Sequence, residues 1–308
     1  MTMSNKDRLG AAALIALLVA LPPILGSQYF IGVFIVGAID GIWAASWDFF
    51  SGLTGRENFG HALFIGGGAY AAAFMNGTFG FNPWWSIPAG IVVAVAFSLI
   101  IGFPTLRLKG PYFALAMLAA ASIMQHFAVI FWQYTGGTEG IYGMDRLIDS
   151  ALGYYYFVLA MLLATVVVLK LIANSRWGTI MRAIKGDEGA CEAAGINVTF
   201  YKIAGLAISA AFAGLGGVLF AHYQQAVTPD DLDVFLSISV IVMVYVGGIG
   251  SIWGAACGGI LLNLMLELLR SLGEFRLWVY YVILMLILFF MRGGFVAPLW
   301  ARLRGSAS

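Results

Sequence analysis

Charge is what this sequence has least of: Asp, Glu, Lys and Arg make up 10% of its 308 residues, against 61% hydrophobic residues. Soluble domains carry about 25% charged residues. A chain this apolar, with a mean hydropathy of +0.92, is not a soluble globular domain, and the same scarcity excludes disorder. The net charge of +1 offers no basic surface, which argues against nucleic acid as a partner. Cysteine is nearly absent. Cys191 and Cys257 stand far apart with no further Cys or His at ligand spacing, so neither a disulfide framework nor a metal site is expected. Three scattered histidines, His61, His126 and His222, form no triad. No Gly-rich run ends in Gly-Lys-Ser/Thr, so a phosphate loop and ATP hydrolysis by this chain are not expected.

What the sequence has instead is long, continuous apolar runs. A membrane barrel would show alternating segments of about 10 residues, whereas runs of about 20 read as membrane-crossing helices. Ten spans are expected, near 9–26, 29–50, 61–76, 84–103, 112–133, 153–173, 203–222, 235–247, 254–270 and 277–291. The fold class is therefore all-α, a polytopic membrane helix bundle forming a single transmembrane domain over 1–308. The eighth run is too short to cross unaided and reads as a broken or half-crossing helix. Lys6 and Arg8 precede the first run like a signal peptide. Pro22, Pro23 and the lack of an Ala-x-Ala site favour a retained signal anchor instead.

Cation placement orients the bundle. With the N-terminus inside, only Arg146, Arg270 and Arg276 fall outside, while the outer loops carry Glu139, Asp145 and Asp149, and Asp230, Asp231 and Asp233. Both termini are then cytoplasmic. Trp84, Trp85, Tyr154, Tyr155 and Trp300 fit the interfacial belts.

The longest cytoplasmic loop, 174–200, is also the most charged. Gly186 and Gly189 interrupt it. Asp187 can cap a short helix from Glu188 to Ala194, and Gly195 can close it. About two turns of helix are marginal alone in water, so this one needs a surface to dock on. Arg182, Lys185, Glu188 and Glu192 recur at spacings of three and four and would share a face if the segment stayed helical. A solvated loop helix is the plainer reading of that stripe.

The run Glu192-Ala193-Ala194-Gly195 resembles the EAA loop of ABC importer permeases, the segment that docks on the ATPase. Further runs keep it company: Leu53-Thr54-Gly55, Asn58-Phe59-Gly60-His61, Gly66-Gly67-Gly68, Gly110-Pro111-Tyr112-Phe113, Thr135-Gly136-Gly137-Thr138-Glu139-Gly140, Arg182-Ala183-Ile184, and Val246-Gly247-Gly248-Ile249-Gly250-Ser251. In this order they resemble the LivM-type permeases of the branched-chain amino acid ABC transporter family, with urea-type permeases as near relatives. The likeness covers roughly 30–292. Where the family often has a Gly-Gln-Leu-Ser-like run, this chain has Arg56-Glu57-Asn58-Phe59, a charged pair beside a presumed path segment.

The resemblance implies a bacterial inner-membrane permease and an importer for branched-chain or related amino acids, or for urea or a short amide. It implies a second homologous permease, two cytoplasmic ATPase subunits that bind the ATP-Mg, and an extracytoplasmic substrate-binding protein. This chain itself would hold no cofactor and no metal. Coupling to the ATPases would fall to Arg182, Lys185, Asp187, Glu188, Glu192, Ala193, Ala194 and Gly195. The translocation path would involve Asn58, Gly60, His61, Gly136, Gly137, Thr138, Glu139, Gly247, Gly248, Gly250 and Ser251.

The residues add Asp40, an acid near the middle of the second span, because intramembrane acids face the bundle interior or a wet cavity. A hydrogen-bonded packing role serves Asp40 as well. Glu267 and Arg270 read as a pair at a helix end. The small residues Gly205, Ser209, Ala213, Gly217 and Ala221 read as helix packing. Gly250, Gly254 and Gly258 share that spacing, but the preceding Gly247-Gly248 break suggests backbone open to a cavity. A stand-alone secondary transporter would leave the short docking-like helix unexplained. A membrane enzyme would need a polar catalytic cluster, which the sequence does not show.

Overall fold

The computed structural model describes residues 27–108 and 111–273, with a few isolated positions beside them. The expected spans at 9–26 and 277–291, both termini, Trp300, Lys109 and Gly110 lie outside the described residues. The helices are α1 (Gln28–Thr54), α2 (His61–Ala72), α3 (Ser86–Thr105), α4 (Pro111–Ile130), α5 (Trp132–Thr135), α6 (Ala151–Asn174), α7 (Arg176–Gly186), α8 (Glu188–Ala193), α9 (Val198–Gln224), α10 (Val234–Gly247) and α11 (Ile252–Leu268). A π-helical turn, Ala73–Thr78, prolongs α2. A two-residue antiparallel ladder joins β1 (Ile141–Tyr142) to β2 (Ala226–Val227).

These boundaries follow local chemistry. Ser150, Ser175, Asp187, Asn197, Asp233 and Ser251 each accept a hydrogen bond from a first-turn N–H of the helix they precede, satisfying donors that a helix start leaves free. Gly55 and Gly136 stop α1 and α5 in the left-handed conformation.

Described helices long and apolar enough to cross a membrane are α1, α3, α4, α6 and α9; α10 and α11 make a further candidate, bent by 115° at their break. The short eighth run is thus half of a bent pair. Around α1 pack α11, α6 and α9, while α2 and α3 lie on α9. Close approach needs small residues. A Cβ on Gly68 would sit 2.4 Å from the Gly214 carbonyl oxygen, and one on Gly259 would meet the Asp40 backbone at 2.7 Å. In lipid, van der Waals packing of this kind replaces the missing hydrophobic drive. Tyr154 and Tyr155 depart from the belt expectation. Both are buried, because the Tyr154 hydroxyl donates to the Leu219 carbonyl at 2.6 Å and Tyr155 packs edge-on against Phe34. Trp84 and Trp85 are exposed.

Candidate functional site

The expected short helix forms at one end of the bundle. Asp187 accepts from the Ala190 N–H at 3.0 Å, and Gly195 closes the turn at φ +80°. Beneath α8 lies a small apolar core of Ile184, Cys191 and Val198, which supplies the surface that a six-residue helix needs.

Glu188 faces the bundle. Arg56 Nε and Nη2 donate to its Oε1 at 3.1 and 2.7 Å, and Lys202 Nζ donates to Oε2 at 3.1 Å. Partial burial opposes ionisation of Glu188, but the hydrogen bonds from Arg56 and Lys202 outweigh it and hold the carboxyl below its usual range. Arg56 also donates to the Leu108 carbonyl at 2.9 Å. The Arg56 of the unusual Arg56-Glu57 pair therefore ties α8 to the loop between α1 and α2. Glu57 accepts from the Tyr245 hydroxyl at 2.9 Å.

The helix is broken at Asp187, an extended residue at φ −155°, so the single charged face expected of Arg182, Lys185, Glu188 and Glu192 does not form. Arg182 donates to the Ala173 carbonyl at 2.8 Å, and Lys185 Nζ donates to the Gly52 carbonyl at 2.9 Å. Glu192, Ala193 and Ala194 are exposed, with Gly195 beside them.

One turn from Gly52, Asp48 accepts from the Gly250 N–H at 2.6 Å. Polar contacts thus run from α7 through α1 to the turn between α10 and α11. In that turn Gly248 and Gly250 have φ of +106° and +81°, which side chains disfavour. The glycines Gly247, Gly254 and Gly258 let the pair close: a Cβ on Gly247 would lie 2.1 Å from the Gly254 carbonyl oxygen. Hairpin packing accounts for these glycines, and Ser251 serves as the cap of α11.

Asn58, Gly60 and His61 are buried where the chain re-enters the bundle. Trp47 Nε1 donates to the Asn58 carbonyl at 2.7 Å. His61 Nε2 lies 3.1 Å from Ser46 Oγ, and the Ala62 N–H donates to Ser237 Oγ at 2.8 Å. A Cβ on Gly60 would strike the Met117 carbonyl. Asp40 accepts from Asn263 Nδ2 at 3.1 Å, the packing arrangement open to it from the sequence. A cleft of about 530 Å³ bordered by Arg56, Glu57, Phe59 and Leu118 opens beside the re-entry.

At the other end, Gly136 and Gly137 adopt positive φ, and a Cβ on Gly140 would strike the Val227 carbonyl. Thr138 and Glu139 are exposed there. From β2 the chain turns inward. Gly216 packs on Trp43, which lies near the middle of α1; the next residue, Gly217, packs on the Ile65 carbonyl; and Gly66 packs on the carbonyl of Asp231. The stretch 228–233, expected as an outer loop, thus descends to the level of the middle of α1, and α10 starts there. Non-helical backbone at such depth is tolerated only inside protein or along a cavity. Thr228 N–H donates to Asp231 Oδ2 at 2.9 Å, and Asp233 caps α10.

Sequence reasoning missed Asp48, Tyr70 and the depth of Asp231. Asp48 was open to the argument that singled out Asp40, since both are acids in one apolar run. No local signal reported the other two.

A family description, branched-chain amino acid transport system permease component, matches residues 29–291. The high-affinity branched-chain amino acid transport system permease protein LivM of Salmonella typhimurium is 29% identical over 73% of this chain and 60% of its own length. A probable LivM of Methanocaldococcus jannaschii is 24% identical over 76% of this chain and 75% of its own. The fructose import permease protein FrcC of Rhizobium meliloti is 27% identical over 68% and 62%. The chain therefore spans about 60% of the length of the Salmonella relative. No solved structure matches.

Proposed function

The chain belongs to the branched-chain amino acid transport system permease family, and from that premise we propose that it is the transmembrane permease subunit of an ATP-driven importer in a bacterial inner membrane. Its substrate is a branched-chain or related small amino acid. It works beside a second homologous permease, two cytoplasmic ATPase subunits carrying ATP-Mg, and an extracytoplasmic binding protein.

The observation that carries this reading is α8. It is a short capped helix held to the bundle on one side by Glu188, with Glu192, Ala193 and Ala194 left exposed on the other. A helix held rigidly at its back and free at its front can transmit a push. When ATP draws the ATPases together, α8 moves with them. The Lys185–Gly52 and Asp48–Gly250 contacts then carry the displacement to α1 and to the α10–α11 turn. The multi-pass bundle changes access by movement of such packed elements.

The test is copurification of the ATPases and substrate-stimulated hydrolysis in reconstituted vesicles. Glu192→Lys reverses a charge on the exposed side of α8, and Gly195→Glu places a side chain at φ +80°, where it is strained. Both variants are expected to release or uncouple the ATPases while the helices still insert. Full ATPase binding and full transport by both would remove α8 as the coupling element.

A further inference from the structure

A cavity of about 250 Å³ lies between α2, α3 and α4, lined by Phe74, Val93, Phe97, Met124, Phe127 and Leu232 among others. Its walls are almost wholly apolar. Two polar features adjoin them. Tyr70, which also lines the cavity, is 8% exposed, and its buried hydroxyl has no hydrogen-bond partner. Asp230 and Asp231 directly precede Leu232, whose side chain lines the cavity, and the Asp231 carbonyl packs on Gly66 of α2. A buried hydroxyl left unpaired is costly, and acids at mid-bundle depth mark ligand or ion paths by default.

We propose that this space is a subsite for the transported amino acid, with its branched apolar side chain in the aromatic cavity and its ammonium group at Asp230 and Asp231. The inference rests on the importer reading above and adds a place for the substrate within this chain.

Size and chemistry agree. Apolar cavities of roughly 150 Å³ hold benzene, so the space admits a four-carbon branched side chain. Asp231 spends one oxygen on the Thr228 N–H and keeps the other. Asp230 is exposed. The Tyr70 hydroxyl supplies a donor for the substrate carboxylate. Neither a sugar nor urea offers an apolar group to fill the aromatic wall. The half-crossing stretch 228–233 carries both acids, and it continues into α10, whose far end is held by Asp48 through Gly250. Ligand contact and the coupling contacts are thus joined by one helix.

The experiment measures binding of tritiated leucine to the purified permease–ATPase complex in nanodiscs, beside leucine uptake by the complete importer. Displacement by valine and isoleucine but not by glycine is expected. Ala128, another wall residue, is buried; Ala128→Leu fills the cavity and should weaken leucine binding roughly tenfold or more. Phe97→Ala enlarges it and should let phenylalanine compete. Asp230→Asn should weaken leucine and valine alike. Leucine binding unchanged in Ala128→Leu, or phenylalanine still excluded by a leucine-binding Phe97→Ala, would overturn the subsite. If the variants bind as wild type while uptake persists, the importer reading stands without it. If the complete wild-type importer takes up no branched-chain amino acid, both readings fall.

Discussion

At the α8 end of the bundle, Glu188 meets two cations, Arg56 and Lys202, at 2.7 and 3.1 Å. Halfway through the bundle, Asp230 and Asp231 directly precede Leu232, which lines the aromatic cavity, and among the described residues neither acid forms an ion pair. The residue chemistry is nearly the same, yet the surroundings are opposite. A carboxylate between two cations is a fastening: it holds α8 against α9 and the α1–α2 loop, and its charge is answered within the chain. Asp230 and Asp231 have no cationic partner among the described residues, and the Asp231 carboxylate is met only by the Thr228 N–H, which leaves room for a cationic group brought from outside. One region fastens parts of the bundle, and the other is the region proposed above to take a ligand.

The sharpest way to break this comparison is charge reversal at the fastening. Glu188→Lys places three cations together, and like charges in contact repel. ATPase recovery on purification, or uptake in vesicles, is expected to fall about tenfold or more, in line with the few kcal/mol that truncated charged contacts lose at interfaces. Wild-type assembly and uptake would show that Glu188 fastens nothing.

A smaller effect compares a joint with an open acid. Asp48→Ala removes the partner of the part-buried Gly250 N–H, and a lost hydrogen bond of this kind costs roughly 0.5–1.5 kcal/mol. Asp230→Ala removes an exposed carboxylate and should change stability by no more than about 0.5 kcal/mol. Thermal unfolding of the two variants in detergent should separate them in that order. Equal shifts would erase the distinction between fastening and open acid.

The smallest effect is in pH. The Glu188 carboxyl is held below its ordinary value of 4.5. Its contribution is therefore complete above that value and is lost as pH falls through the lowered one. Hydrogen exchange across α8 should be steady from neutral pH down to about 5, corrected for intrinsic rates, and protection should fall only in more acid solution. Glu188→Gln should remove that acid-dependent loss. Loss of protection already near pH 6 would point to another group.

Comparison of α1 with α4 shows how far apolar content can be read. Both run as apolar helices of crossing length, yet most of α1 is buried and most of α4 is not. On α4, His126 is exposed, with its ring Nδ1 2.7 Å from the Ser122 carbonyl, and Gln125 is half-buried. Hydropathy registers that a segment prefers lipid or protein to water. It does not register which, because a neighbouring helix and an acyl chain are equally apolar.

From the sequence alone came the helical class, the positions of the helices within the described residues, the 187–195 turn-helix-turn and the family likeness. Each is written locally: apolar length sets a span, an Asp sets a cap, and a Gly sets a stop. Tertiary structure decided which acids are paired and how deep each lies. Arg56 and Glu188 are 132 residues apart, Asp48 and Gly250 are 202 apart, and Asp231 reaches mid-bundle only because Gly66 leaves room for its carbonyl. Such pairings depend on distances across the fold, and a pattern of neighbours along the chain carries no record of them.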